Sequence, residues 1–411
     1  MTKKSADHVR LSTIECVGAE LAIGGIPVSE IALRAGATPF YAYDRALLEQ
    51  RIQQLRGALP SEINLHYAIK ANPLPAVVGF IGARVDGLDV ASQLEMQVAL
   101  NSGMSPEHIS FAGPGKRIPE LRAAIGSRIC LNVESELEIR RAAEISEELG
   151  ITARVAVRVN PDFELKGSGM KMSGSPGQFG IDAERVPAAV KSAVDLGLAI
   201  EGLHIFCGSQ NLNSENIIDA NRQTLSLAAD LRERCDVAMP RINIGGGYGI
   251  PYFPGDQNLD LAAVGEALHI LIDESRSRLG DCEFVVELGR YITAEAGFYV
   301  TRVIDIKKSC GKDFAIVDGG LHHHLANSGN FGQILRKNYP VVAACKMDQM
   351  ADTEVSIVGP LCTPLDKVAD RMMLPALHVG DLIVVFQSGA YGFSASPHLF
   401  LSHPTPVELF V

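Results

Sequence analysis

Lys70 closes an apolar run, Tyr67-Ala68-Ile69. A lysine ending a buried strand is costly unless it is paired or used. A desolvated amine is also less readily protonated, which suits Schiff-base chemistry with a carbonyl. A lysine snorkelling out to solvent would read the same way. Glu287 sits between Val286 and Leu288. A buried carboxylate needs a partner, either a protonated ring nitrogen of a cofactor or a Lys or Arg side chain. Gly245-Gly246-Gly247 follows Ile242-Asn243-Ile244. Glycines let backbone N–H groups approach an anion closely, and a following helix start adds its dipole. A plain turn would use the same residues. Ser209, after Gly208, and Arg290, after Gly289, are further candidates for such an anion site, while Asp89 and Arg158 lie on other apolar runs. An amine, an anion cup and a buried acid are the parts that pyridoxal 5'-phosphate needs. The amine takes the aldehyde, the glycines and arginine take the phosphate, and the acid keeps the pyridine nitrogen protonated.

Positioning these groups requires a scaffold, and the chain shows one. Eight short apolar runs recur, each followed by a stretch with helical spacing: 65–70, 87–92, 108–113, 129–135, 154–161, 202–209, 241–247 and 284–290. Ser92 ahead of Glu95, Ser135 ahead of Glu138, and Ser214 mark helix starts. Alternating strand and helix favours a parallel sheet, and eight units favour a closed (β/α)8 TIM-type barrel. An open doubly wound sheet is the alternative. In a barrel the active site lies at the C-terminal ends of the strands, where the candidate residues fall. After residue 296 the pattern changes to strands with turns at 298–306, 314–318, 354–358, 382–387 and 407–411. These predict a C-terminal antiparallel β-domain. The expected division is 1–36 as an N-terminal segment joining the β-domain, 37–296 as the barrel, and 297–411 as the β-domain. The loop 162–178 carries Gly167, Gly169, Gly174 and Gly177, which suits a mobile segment near a site, and a plain surface loop would read the same way.

Composition excludes several functions. Lys and Arg total 37 against 48 Asp and Glu, a formal net charge of −11. That balance argues against a nucleic-acid or anionic membrane partner. No apolar run approaches the roughly 20 residues that span a bilayer. The start, MTKKSADHVR, has no apolar segment behind it, so no signal peptide is expected. The eight cysteines form no CxxC pair and read as reduced cytoplasmic thiols.

The strings go further. His66-Tyr67-Ala68-Ile69-Lys70-Ala71-Asn72, Leu88-Asp89-Val90-Ala91-Ser92, Gly245-Gly246-Gly247, Glu287-Leu288-Gly289-Arg290, Gly359-Pro360-Leu361-Cys362 and Gly389-Ala390-Tyr391-Gly392 occur in that order. With them the chain resembles the fold-type III pyridoxal phosphate-dependent decarboxylases, which include diaminopimelate and ornithine decarboxylases. The resemblance implies a Schiff base at Lys70, Glu287 on the pyridine nitrogen with Asp89 in support, and Arg158 near the ring. It also implies a phosphate held by Ser209, Gly245, Gly246, Gly247, Gly289, Arg290 and Tyr391. His204 and Phe206 would line the cofactor from the sixth strand. Cys362 would come from the partner subunit of a homodimer with shared sites and protonate the carbanion after CO2 leaves.

Departures from the family pattern bear on the substrate. Phe206 takes the place of a stacking histidine; it stacks but donates no proton. Thr363 follows Cys362 where diamino-acid decarboxylases carry an acid, with Asp366 further on. The segment Asp318-Gly319-Gly320 to Asn327 lacks the arginine by which diaminopimelate decarboxylases grip a carboxylate. A site lacking these groups rejects substrates that need them. A narrower resemblance, on Phe206, Gly208 to Leu212, Gly167 to Met172 and Ser394 to Pro404, is to the exosortase-A-system-associated decarboxylases. It implies an amino acid or derivative, free or carried on an acyl-carrier protein. No metal site is expected at His322-His323-His324, because neighbours on a strand point to opposite faces. His323, Thr363 and Asp366 are the candidate substrate contacts beside Cys362. The rivals are an amino acid racemase on the same fold and a non-catalytic pyridoxal phosphate-binding homologue.

Overall fold

The structure, a computed structural model, describes residue 8 and residues 14–411 apart from 168, 172–175, 332, 334 and 335. The chain divides into two compact units, one of residues 51–249 and 259–289, the other of residues up to 50, 250–258 and 290–411.

In the first unit the eight predicted runs form β1 (Ile63–Ala68), β2 (Gly87–Val90), β3 (Ile109–Phe111), β4 (Cys130–Val133), β5 (Arg154–Asn160), β6 (Ala199–Ile205), β7 (Arg241–Gly246) and β8 (Glu283–Leu288). Each pairs in parallel with the next, and β8 pairs with β1, Glu287 opposite His66. The sheet therefore closes into a barrel, and the open doubly wound alternative is excluded. Helices follow β1 to β7, from Pro75–Gly82 to Leu261–Leu279. Both strand faces are thus covered. In β5, Val155, Val157 and Val159 are buried on one face, Ala156 and Arg158 on the other. This explains why the strands read as continuous rather than alternating apolar runs.

The helix starts follow the expected chemistry with one shift. The Ser92 and Ser135 hydroxyls accept from the Glu95 and Glu138 amides, both at 3.2 Å. After β6 the cap is Asn213, accepting from the Asn216 amide at 3.0 Å, one residue before the expected Ser214. Asn caps as well as Ser does, so the sequence alone did not separate them. Part of the 162–178 loop is pinned: Met170–Lys171 pairs with Gly208–Ser209 just past β6. Ser168, Met172 and Gly174 lie outside the described residues.

The second unit holds a sheet in the order Val341–Ala343, Leu382–Val385, Gly297–Ser309, Lys312–Val317, Thr353–Val358, Lys367–Leu374. The expected antiparallel sheet is mixed. Lys312–Val317 runs parallel to Thr353–Val358, because the long stretch between them returns the chain to the same end. Val407–Phe410 also runs parallel to Phe40–Tyr43. Phe40–Tyr43 was expected in the barrel. It pairs instead with Gly297–Val300, its four residues all buried. Lys367–Leu374 was missed because Asp370 and Arg371 interrupt its apolar pattern; Arg371 has φ +48° at a register break. Leu21, Ile23, Val28 and Ile31 pack with Phe40, Phe298, Val384 and Phe386 in this unit's core. Among the described residues no helix is long and apolar enough to cross a membrane.

Ile31 is fully buried while Leu33, on the same short helix, is 82% exposed. Ile31→Ala is expected to lower unfolding stability by about 2–5 kcal/mol. Leu33→Ala should stay within about 0.5 kcal/mol. Urea unfolding of both variants checks this.

Candidate active site

Glu287 stands one residue before the end of β8 inside the barrel, 5% exposed. Its Oε1 lies 3.5 Å from Lys70 Nζ, and its Oε2 accepts from His204 Nε2 at 3.1 Å. Burial alone would push this carboxyl up. The Lys70 amine, the His204 hydrogen bond and the Arg158 charge outweigh it and hold Glu287 well below the usual carboxylate range. His204 comes from β6, its Nδ1 buried with no partner among the described residues. An amine from the turn past β1 and an imidazole from β6 thus converge on one ionised acid of β8.

Lys70 departs from its expected setting. It stands in a single turn, Ile69–Ala71, just past β1 rather than on the strand, and its side chain is 43% exposed. The amine is therefore partly solvent-exposed rather than desolvated, with Glu287 beside it. Phe206 faces it, the ring centroid 5.7 Å from Nζ. Gly289 lets the end of β8 close on this turn, since a Cβ there would come within 2.9 Å of the Ala71 Cβ.

Asp89 lies one strand further round. Its Oδ1 accepts from the Ser110 hydroxyl and from His66 Nδ1 at 3.4 Å, and Asn132 Nδ2 donates to Ser110 at 3.2 Å. Asp89 Oδ2 is buried with no partner among the described residues. Arg158 does not stand alone either. Its Nη1 donates to Glu134 Oε1 at 2.9 Å, and its guanidinium lies 4.7 Å from the Phe179 ring centroid. Glu134, which the sequence reading missed, also accepts from the Gly113 amide at 2.6 Å and the Gly180 amide at 3.1 Å. It ties the loops after β3, β4 and β5 together. An acid at a strand's C-terminal end was the available signal.

The glycine triplet turns with φ +74° at Gly245 and +80° at Gly247. A Cβ at Gly245 would lie 2.8 Å from the Ile205 carbonyl, and one at Gly247 would strike the Gly208 carbonyl. Only bare backbone fits, and it brings the triplet against Gly208, next to Ser209.

The remaining predicted residues belong to the other unit. Arg290 Nη1 donates to Tyr252 Oη at 3.1 Å, and its guanidinium lies 4.7 Å from the Tyr391 ring centroid. Arg290 Nε is buried with no partner among the described residues. Cys362 is exposed and Thr363 half-buried. Asp366 and His323 were expected to face substrate, but both are enclosed. Asp366 is 3% exposed and accepts two backbone amides. His323 Nε2 donates to the Pro404 carbonyl at 2.9 Å, and its Nδ1 lies 3.4 Å from Tyr299 Oη. Their polar atoms are committed within the unit. Among the described residues no group of three or more His, Cys, Asp or Glu side chains is placed to hold a metal ion.

Comparison with known proteins matches residues 45–294 to the family model described as "Pyridoxal-dependent decarboxylase, pyridoxal binding domain". The L-glutamyl-[BtrI acyl-carrier protein] decarboxylase of Niallia circulans is 39% identical over 378 residues, covering 90% of this chain and 88% of that protein. The diaminopimelate decarboxylase of Aquifex aeolicus is 32% identical over 399 residues, covering 95% and 90%. The crystal structure of diaminopimelate decarboxylase from Helicobacter pylori complexed with L-lysine aligns with a TM-score of 0.82 at 27% identity, covering 93% and 94%.

The three adjacent histidines carry a consequence for pH. Burial, with His323, His403 and His398 nearby, pushes His322 down to about 3. Burial pushes His323 down to about 4 and His324 to about 3. Above pH about 6.5 these imidazoles are neutral whether folded or unfolded. As pH falls below that value the unfolded chain takes up protons that the folded chain refuses, so stability falls toward pH 4. His322→Leu should flatten this acid-side decline, read as melting temperature against pH, because neither His322 ring nitrogen has a partner among the described residues to lose.

Proposed function

Since the chain belongs to the pyridoxal-dependent decarboxylases, we propose that Lys70, Glu287 and His204 form the centre at which it removes CO2 from an α-amino acid or amino-acid derivative. Its cofactor is pyridoxal 5'-phosphate. The observation that carries this reading is the buried Glu287, held ionised between the Lys70 amine and the His204 imidazole.

The residues present fit the group. The half-exposed amine suits its aldehyde, the ionised acid its ring nitrogen, and the Phe206 face its aromatic ring. The orphaned Arg290 Nε has the chemistry of an anion donor. When bound, pyridoxal phosphate supplies the electron sink for the C–C bond that breaks as CO2 leaves. The chain's own residues do the rest. Lys70 would hold the aldehyde end of the group, its amine poised beside Glu287. Glu287, oriented by the His204 hydrogen bond, keeps a proton on the ring nitrogen. Phe206 stacks without donating a proton. Arg158 supports the acid by its charge, and Asp89, bonded to His66 and Ser110, is assigned to the surrounding site. Ser209, Gly245, Gly246, Gly247 and Gly289, with Arg290 and Tyr391, are assigned to the phosphate. Cys362 delivers a proton to the carbon that lost CO2, from the partner subunit of a homodimer. Its exposure supports access to a second copy.

For the substrate, the 39% identity to an enzyme named for a glutamyl group on an acyl-carrier protein supports a carrier-borne amino acid. Thr363 beside Cys362 supports a substrate without a distal ammonium. Eight free thiols support a reducing compartment, the cytoplasm.

The test is CO2 release from a panel of free and carrier-bound amino acids by the reconstituted protein. One member should be turned over, and Lys70→Ala should abolish turnover together with the visible absorbance of bound cofactor. Retained absorbance in Lys70→Ala would overturn the role of Lys70, and proton exchange at the α-carbon without CO2 would overturn the reading in favour of a racemase.

A further inference from the structure

We propose that Asp366 is a positioning residue that holds the loop 359–366 in the shape that presents the Cys362 thiol; this rests on Cys362 being the proton donor. The loop is closed at its base by the Gly359 amide donating to the Asp366 carbonyl at 3.0 Å. The Asp366 side chain turns back into the loop. Its Oδ2 accepts from the Leu361 amide at 2.8 Å, immediately before Cys362. Its Oδ1 accepts from the Leu321 amide at 2.7 Å, in the neighbouring 319–324 turn. That turn is itself pinned, with the His323 and His324 amides both donating to the Gly320 carbonyl. One carboxylate thus locks the residue ahead of the thiol to a separate rigid turn. Hydrogen bonds to an ionised acceptor are the strong ones.

The packing around this clip allows little else. A Cβ on Gly320 or on Gly359 would collide with the Asp366 carboxylate. Both glycines therefore let two stretches of backbone close on the same acid. Thr363 completes the loop from within, its amide donating to the Leu361 carbonyl at 2.7 Å. Asp366 is enclosed and Cys362 is exposed, so the loop separates its anchor from its working group. Asp366 reaches no reacting atom; it acts through Cys362.

Decarboxylation leaves the electron pair of the broken C–C bond at the α-carbon side, and a proton from Cys362 Sγ completes the C–H bond while the thiol is reprotonated from solvent. A fixed donor delivers that proton to one face only. Turnover in D2O therefore reads donor geometry, because deuterium then marks one prochiral position of the amine. A fold that is merely less stable gives less product of unchanged stereochemistry. Wild-type enzyme should label one face, and Cys362→Ala should lose the selectivity. Asp366→Asn, which replaces one acceptor by a donor at the same volume, should erode the selectivity by about tenfold or more, the scale of one lost charge-assisted hydrogen bond. Should Asp366→Asn fail to fold, Gly359→Ala keeps the acid but pushes it off its amides, and it should do the same. Arg336→Gln is the control. Arg336 Nη2 donates to the Lys367 carbonyl at 3.1 Å, just beyond the loop, and its loss should lower melting temperature without touching the selectivity. Unchanged labelling in Cys362→Ala overturns the assignment of Cys362. Eroded labelling in Cys362→Ala with unchanged labelling in Asp366→Asn and Gly359→Ala overturns the role of Asp366 alone. Equal erosion in Arg336→Gln also overturns it.

Discussion

A carboxylate inside a barrel is an expensive object, and the site is organised around keeping one charged. Glu287 meets the desolvation cost with two partners of different kinds. Lys70 contributes charge at 3.5 Å from a half-open position, and His204 contributes a directional hydrogen bond from full burial. Lys70 is half-exposed and acts on the acid through charge, whereas His204 is fully buried and sets the orientation of the acid by its hydrogen bond. The chemistry proposed at Lys70 needs this asymmetry.

Around that centre the barrel repeats the same solution. Glu134 takes charge from Arg158 and amides from Gly113 and Gly180. Lys116, 6% exposed, pairs with Glu138 and donates to the Gly113 and Asn132 carbonyls. Each buried charge therefore joins a strand end to a loop. Loops at the strand ends are thus held in part by ionic hydrogen bonds.

Much of this was legible in the sequence, for definable reasons. Strands covered on both faces must be apolar throughout, so the eight barrel strands stood out as runs. Lys70 and Glu287 stood out because a charge beside such a run is anomalous. What was not legible is how charges pair across the barrel. Nothing near His204 in the sequence indicates Glu287, and nothing near Arg158 indicates Glu134. The exposure of Lys70 depends on a single turn past β1, which a strand-end reading could not anticipate. Phe40–Tyr43 was misplaced because its partner strand lies more than half the chain away. Asp366 was read as a substrate group because a carboxylate near Cys362 invites that role. Its two amide donors become visible only when the 319–324 turn folds against it.

The closure of β8 onto β1 has a consequence during synthesis. Lys70 and Glu287 are separated by 217 positions and meet only when the last strand joins the first. Contacts of such long separation form late, after the loop entropy between them has been spent. A nascent or truncated chain that ends before β8 carries Lys70 without Glu287. Position 287 of 411 must be made before Glu287 can meet Lys70, so shorter fragments lack this ion pair whatever local structure they hold.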